Sequence, residues 1–247
     1  MKVIIHGATG RMGHMVSSMA EKGFAGAEVA ALVSPSIAEG GAEHAYTALE
    51  HFQGEADCVI DFSSHTALAA LLTYCVERRL PTVIATTGYT EVERKMIEKA
   101  SLEIPIFFSA NMSIGIALLA ELAQKAAATF PQADIEIVEK HHNQKLDVPS
   151  GTALLLAQSI QTVRADSELV IGRHENGKRG RQEIGIHSLR LGNEVGTHEI
   201  IISTGNETIT LKHEAENRAL FAEGALRAAA FLCAKPAGLY SMEDMIS

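Results

Sequence analysis

The chain has 247 residues, 47% hydrophobic and 21% charged, a balance close to that of soluble globular proteins. That length holds one large domain or two modest ones and buries a sizeable core. A formal net charge of −9 argues against broad nucleic-acid binding, which rests on Lys and Arg neutralising phosphates, but leaves room for a local anion pocket. Cys58, Cys75 and Cys233 are too scattered for a disulfide framework, and no Cys-x-x-Cys pair is present. Each lies in an apolar stretch and reads as a small buried hydrophobe. The chain opens on a core-like strand without a signal-peptide pattern, and its apolar segments are too short or interrupted to span a bilayer. A cytosolic protein with no membrane partner is expected.

In chain order, short β-branched runs alternate with helical patterns through the first half. Strands are predicted over 3–5, 28–33, 57–61, 82–86 and 104–108, and helices over 11–22, 65–79 and 91–100. Pro81 and Pro105 sit at strand starts, where a missing N–H costs least. This alternation implies βαβ units and a parallel sheet covered on both faces. After Asn111 the grammar changes. A long Ala/Leu-rich helix is predicted over 112–130, a strand over 135–139 and a helix over 152–163. Three strand-like runs follow without a helix between them, 183–191, 197–204 and 207–213, which implies antiparallel or mixed pairing. The basic loop 173–181 reads as solvated and mobile, and a helix over 219–234 closes the pattern. The fold class is α/β: a Rossmann-like parallel-sheet nucleotide domain plus an α+β domain with a mixed sheet. The expected boundaries are 1–111 completed by 218–247, and 112–217.

Gly7-Ala8-Thr9-Gly10-Arg11-Met12-Gly13 lies between the first strand and the first helix. A glycine turn there lets backbone N–H groups approach a pyrophosphate at the positive end of the helix. Thr9 replaces the second glycine of the usual dinucleotide pattern, so the match is the looser G-x-x-G-x-x-G. The second strand ends in Val33-Ser34-Pro35-Ser36, where an acid would bond the ribose 2′-OH of NAD. Without that carboxylate a 2′-phosphate meets no repulsion, and Arg11 and the serine hydroxyls, Ser34 among them, can donate to it. The cofactor reading is NADPH or NADH, leaning to NADPH or dual use. Ala85, Thr86, Thr87 and Gly88 close one strand, and Ser109, Ala110, Asn111 and Met112 another. Both segments lie where a nicotinamide or its ribose would be touched, although ordinary turn chemistry accounts for them equally well.

Residues 139–152 (EKHHNQKLDVPSGT) hold two histidines and a lysine on one loop after a strand, proton donors beside a fixed positive charge. Pro149-Ser150-Gly151-Thr152 then starts a helix whose free N–H groups form an anion site. The combination suits a small anionic substrate. A solvated surface loop or a metal site would also use two histidines, but no cysteine and no partner at fixed spacing supports a metal, and none is expected. The segment 190–198 (RLGNEVGTH) reads as a Gly-containing β-turn. His187, His198 and His213 read as sheet residues, not catalysts.

The GATGRMG opening, the EKHHNQKLDVPSGTA loop and the RLGNEVGTHEI turn, in that order, resemble the dihydrodipicolinate reductase family over essentially the whole chain. The resemblance implies reduction of a cyclic imine dicarboxylate, the 4-hydroxy-tetrahydrodipicolinate of the diaminopimelate and lysine pathway, with hydride from NADPH or NADH, in a cytoplasmic homotetramer. It implies that His141 is the general acid, Lys145 a second catalytic cation and His142 a substrate contact, while Gly151 and Thr152 hold a carboxylate. Gly7 through Met12 would cradle the pyrophosphate. Thr86, Thr87 and Gly88, with Ala110 and Asn111, would border the nicotinamide ribose. Another imine- or semialdehyde-type oxidoreductase would share the glycine loop but not the HHxxK loop leading into PSGT. A nucleotide-sensing module would share only the first half.

Overall fold

The computed structural model describes residues 1–37 and 44–247. The chain forms two compact units, Met1–Ser113 with Ala219–Ser247, and Ile114–Arg218. The first unit opens with β1 (Lys2–His6), α1 (Arg11–Glu21), β2 (Glu28–Val33), β3 (Ala45–Tyr46) and β4 (Cys58–Asp61). It continues with α2 (Leu68–Arg78), β5 (Thr82–Ile84), α3 (Glu91–Ser101) and β6 (Pro105–Phe108). The second unit holds α4 (Ile114–Thr129), β7 (Asp134–His141), α5 (Gly151–Gln161), β8 (Glu168–Ile171), β9 (Glu183–Arg190), β10 (Gly196–Ser203) and β11 (Thr208–Ala215). Returning to the first unit, the chain adds α6 (Ala219–Leu232), β12 (Gly238–Tyr240) and α7 (Met242–Ile246). Among the described residues no helix is long and apolar enough to cross a membrane.

The first unit's sheet runs β12-β6-β5-β4-β1-β2-β3, all parallel. Its central strands read as continuous apolar runs because helices cover both faces. Leu68, Leu71, Cys75 and Ile97 of α2 and α3 pack on Ile4, Val59, Ile84 and Ile106, and α1 and α6 pack on the opposite face. Strand order reverses between β1 and β4, the place where an open α/β sheet leaves a crevice at its carboxyl edge. Gly7 turns out of β1 with φ +84°, and a Cβ there would lie 2.5 Å from the Phe62 carbonyl oxygen. Only glycine lets the two strand exits come this close.

The second unit's sheet, β11-β10-β7-β9-β8, is mixed as its sequence pattern implies. β9 pairs parallel with β7 and β8, while β10 pairs antiparallel with β7 and β11. Ile135, Ile137, Ile184, Ile186, Ile200 and Ile202 form its buried face against Leu119, Ala123, Leu156 and Ile160 of α4 and α5. β7 extends two residues beyond the expected end, because Lys140 and His141 remain paired to Leu189 and Arg190. His141 is therefore the last residue of a strand, not part of the loop. The 191–195 segment is not a hairpin turn, since β7 lies between β9 and β10. It crosses the end of β7 instead, with Leu191 N–H donating to His141 O (2.9 Å) and His142 N–H to Glu194 O (2.8 Å).

The unpredicted strands β3, β8 and β12 have two, four and three residues, too short for periodicity to mark. Cys58 and Cys75 are buried, but Cys233 is exposed because it follows the last residue of α6, beyond the packed helix face. The 173–181 loop is anchored. Arg179 donates to Asp134 Oδ1 (2.8 Å), Glu136 Oε1 (3.1 Å) and the Ile135 carbonyl (3.0 Å), and Arg173 pairs with Glu183. The basic run supplies counter-charges to the sheet's own acids. Arg179→Ala is expected to speed hydrogen exchange across 172–183 and to cost about 1–3 kcal/mol in urea unfolding. A loop that was merely solvated would show neither change.

Candidate active site

In the first unit, α1 starts at Gly10, which is extended (φ −75°, ψ 162°), offers no side-chain cap and is followed by no acid in the first turn. Opening amides of a helix have no intrahelical partner, so those of Arg11 and Met12 suit an anion. Gly7 and Ala8 instead donate to the Val33 carbonyl (2.9 and 3.1 Å), and Gly10 donates to Gly7 O (3.0 Å). These three amides are used within the turn itself. A Cβ at Gly13 would lie 2.2 Å from Gly7 O, so the third glycine permits close helix–strand packing.

A cleft of about 510 Å³ is lined by Gly10, Arg11 and Met12, by Phe62, Ser63, Ser64 and His65, and by Thr86 and Thr87. Ala85 is buried, and Gly88 turns the chain with φ +85°. Ser109 and Asn111 are used in turn bonds, Ser109 Oγ to Asn111 O (2.7 Å) and Ser113 N–H to Asn111 Oδ1 (2.8 Å). Ala110 is exposed, whereas Met112 lies in the core with its carbonyl against Gly224. Thr9 Oγ1 lies 2.7 Å from Ser34 Oγ and 2.8 Å from Ser36 Oγ, which makes a cluster of three hydroxyls where β2 ends. Asp61, fully buried at the end of β4, accepts from Ser63 Oγ (2.6 Å) and Thr86 Oγ1 (2.7 Å) and pairs with His6 Nδ1 (2.8 Å). It ties together the exits of β1, β4 and β5.

In the second unit the buried register of β7 runs Ile135, Ile137, Glu139, His141. Alternation along a strand puts all four on one face, so an acid and a histidine continue an apolar row. Glu139 has no exposed surface. It accepts from His141 Nδ1 (2.5 Å), from Arg190 Nη1 and Nη2 (2.8 Å each) and from Ser150 N–H (3.2 Å). Burial pushes the Glu139 carboxyl up, but the His141 and Arg190 hydrogen bonds outweigh it and hold the group well below the usual carboxylate range. Arg190 also donates to the Asp147 carbonyl (2.8 Å), which pins the loop between β7 and α5.

Ser150 caps α5 by accepting from Ala153 N–H (3.1 Å), and its Oγ lies 3.1 Å from His198 Nε2. The His198 ring meets the His141 ring edge-on at 5.2 Å. Burial, and then the charge of His141, push His198 down to about 3, so this ring stays neutral. A Cβ at Gly151 would meet nothing within 4 Å, which leaves open space at the helix start. Lys145 Nζ pairs with Asp147 Oδ1 at 2.8 Å. Burial pushes Asp147 up, but hydrogen bonds from Lys145 and from backbone amides, Gly151's included, hold it below its ordinary value. This donor set already holds one carboxylate, the chain's own. His142 Nε2 lies 3.5 Å from Arg218 Nη2, and Thr152 occupies the first turn of α5.

Residues 1–112 match the model of the dihydrodipicolinate reductase N-terminus, and residues 115–246 that of its C-terminus. The chain belongs to the dihydrodipicolinate reductase family. It is 46% identical to the 4-hydroxy-tetrahydrodipicolinate reductase of Caldanaerobacter subterraneus subsp. tengcongensis, over 100% of this chain and 98% of that protein. The Clostridium tetani enzyme of that name is 42% identical over 100% and 97%. The dipicolinate-bound dihydrodipicolinate reductase of Paenisporosarcina sp. TG-14 superposes with TM-score 0.81 and 26% identity, covering 97% of each chain. As a dihydrodipicolinate reductase family member the chain is an oxidoreductase of diaminopimelate and lysine biosynthesis with a nicotinamide cofactor.

Sequence reasoning missed Glu139, Arg190, Asp61 and the cleft residues 62–65, and it set His198 aside. The available signal for Glu139 was an acid in a core register. Arg190 and His198 lie about fifty residues from it, and only the pairing of β7 with β9 and β10 brings them in. Folded His198 resists protonation down to about 3, whereas the unfolded chain takes up that proton near its ordinary 6.5. The unfolded state therefore binds more protons between those values, and stability falls as pH falls through that window. The wild-type urea midpoint is expected to drop between about pH 7.5 and pH 5, and His198→Asn to remove much of that drop. Equal drops in both proteins would contradict the assignment.

Proposed function

We propose that the chain reduces 4-hydroxy-tetrahydrodipicolinate to tetrahydrodipicolinate, one hydride and one proton being added as water is lost, with His141 as proton donor. The observation that carries this reading is His141 at the end of β7, held by Glu139 beside the capped start of α5. The dicarboxylate bound by the Paenisporosarcina relative supports the substrate class. A dianionic substrate needs cations and helix amides, and the reacting ring needs an acid as negative charge develops.

A nicotinamide cofactor, when bound, would supply the hydride. Arg11 and Met12 amides hold its pyrophosphate, and Thr86 and Thr87 line the same cleft. Gly151 and Thr152 amides, behind the Ser150 cap, take one substrate carboxylate. Lys145 serves as the second cation. Its pair with Asp147 is more than half exposed on the acid's side, and such a pair is worth little, so Lys145 can turn to substrate. His142 contributes a further substrate contact.

The Thr9, Ser34 and Ser36 hydroxyls favour NADPH or dual use, since they can donate to a 2′-phosphate and bring no negative charge. The sheet face opposite α4 and α5 carries Val138, Leu189 and Ile201 and supports assembly of copies into a homotetramer. Three unbridged cysteines fit a reducing cytoplasm.

The test is a coupled assay on the enzymatic condensation product of pyruvate and aspartate semialdehyde, with NADPH and NADH oxidation followed separately. Substrate-dependent oxidation is expected with NADPH at least as fast as with NADH, falling by about 10²-fold or more in His141→Gln. Folded protein that binds NADPH but oxidises neither cofactor would sink the reading.

A further inference from the structure

We infer that Glu139, clamped by Arg190, is a positioning residue that fixes His141 with its proton on Nδ1, so that Nε2 is the nitrogen that exchanges a proton with substrate. The inference rests on the reading of His141 as the acid and adds what makes it one. Four donors converge on the two Glu139 oxygens. Oε2 receives His141 Nδ1 and Arg190 Nη1, and Oε1 receives Arg190 Nη2 and Ser150 N–H. A carboxylate accepts only, so His141 Nδ1 must carry the hydrogen of the 2.5 Å bond.

The clamp matters because burial favours the neutral form of a carboxylate, and a paired cation with hydrogen bonds offsets that cost. The bidentate guanidinium supplies a fixed, permanent cation. In the chemical step the Nε2–H bond breaks, the proton goes to substrate, and the ring becomes neutral with its hydrogen retained on Nδ1. Glu139 is not protonated at any point, and Nε2 regains a proton from solvent. Gly196 packs against the Nε2 side of the ring, where a Cβ would lie 3.0 Å from that atom, so only glycine leaves this nitrogen unobstructed by a side chain there. The neighbouring ring, His198, is neutral and hydrogen-bonded to Ser150, so it does not compete as a charged donor.

A purely structural Glu139–Arg190 pair would join β7 to β9 without dictating a tautomer. Imidazole ¹⁵N NMR of the full-length enzyme, with the His141 signals assigned by their loss in His141→Gln, separates the two. Neutral His141 is expected as the Nδ1–H form, and an Nε2–H form in the wild type overturns the inference. In Glu139→Gln the amide oxygen can stay on Ser150 N–H and Arg190 Nη2 while its NH2 takes the Oε2 place beside His141, with loss of the Arg190 Nη1 bond. The tautomer is then expected to switch, and kcat to fall by about 10²-fold or more with substrate KM changed about twofold at most; Glu139→Asp should restore part of kcat. A folded Glu139→Gln enzyme with wild-type kcat and tautomer also overturns it. If Glu139→Gln does not fold, the wild-type spectrum still decides. Retention of kcat in His141→Gln would defeat the parent reading instead, whichever nitrogen holds the proton.

Discussion

A carboxylate with no exposed surface is costly unless every lone-pair site finds a donor, and Glu139 meets that requirement by gathering its surroundings. Its donors come from the end of β7, from β9 and from the cap of α5, and Arg190 extends the reach to the carbonyl of Asp147. One buried charge thereby fixes a histidine, the start of α5 and the loop that carries Lys145. The mixed sheet is what makes this gathering possible. β9 runs parallel to β7, so Arg190 arrives beside His141 at the same sheet edge, and the 191–195 crossover closes over both.

The first unit solves a comparable problem with different residues. Asp61 collects His6, Ser63 and Thr86 at the carboxyl edge of its sheet, and Gly7 lets the exits of β1 and β4 approach each other. A parallel sheet directs its strand ends to one edge, and polar groups there bind a ligand or one another. The Gly7 and Ala8 amides do the latter, both donating to the Val33 carbonyl. The hydroxyls of Thr9, Ser34 and Ser36 cluster where β2 ends.

Much of this was legible in the residues themselves. β-branched runs separated by amphipathic helices mark the parallel sheet, and PSGT marks the start of α5. Spacing alone places His141 in a loop, because alternation does not show pairing continuing through Lys140. Glu139 was passed over because an acid at the end of a strand looks solvated until its partners are known. One of those partners, Arg190, comes from a strand brought beside β7 by long-range pairing, which no local spacing encodes. Arg179 misled for the same reason: a basic loop looks mobile until Asp134 and Glu136 are seen to lie beneath it.

The most direct test of the whole account is a crystal structure of the enzyme with NADPH and dipicolinate bound together. A dipicolinate carboxylate is expected on the amides of Gly151 and Thr152, with Lys145 turned from Asp147 to the ligand and His141 Nε2 facing the ring at roughly 3–4 Å. The pyrophosphate is expected at the Arg11 and Met12 amides. Dipicolinate seated away from His141, with the Glu139–His141 pair facing only protein, would contradict it.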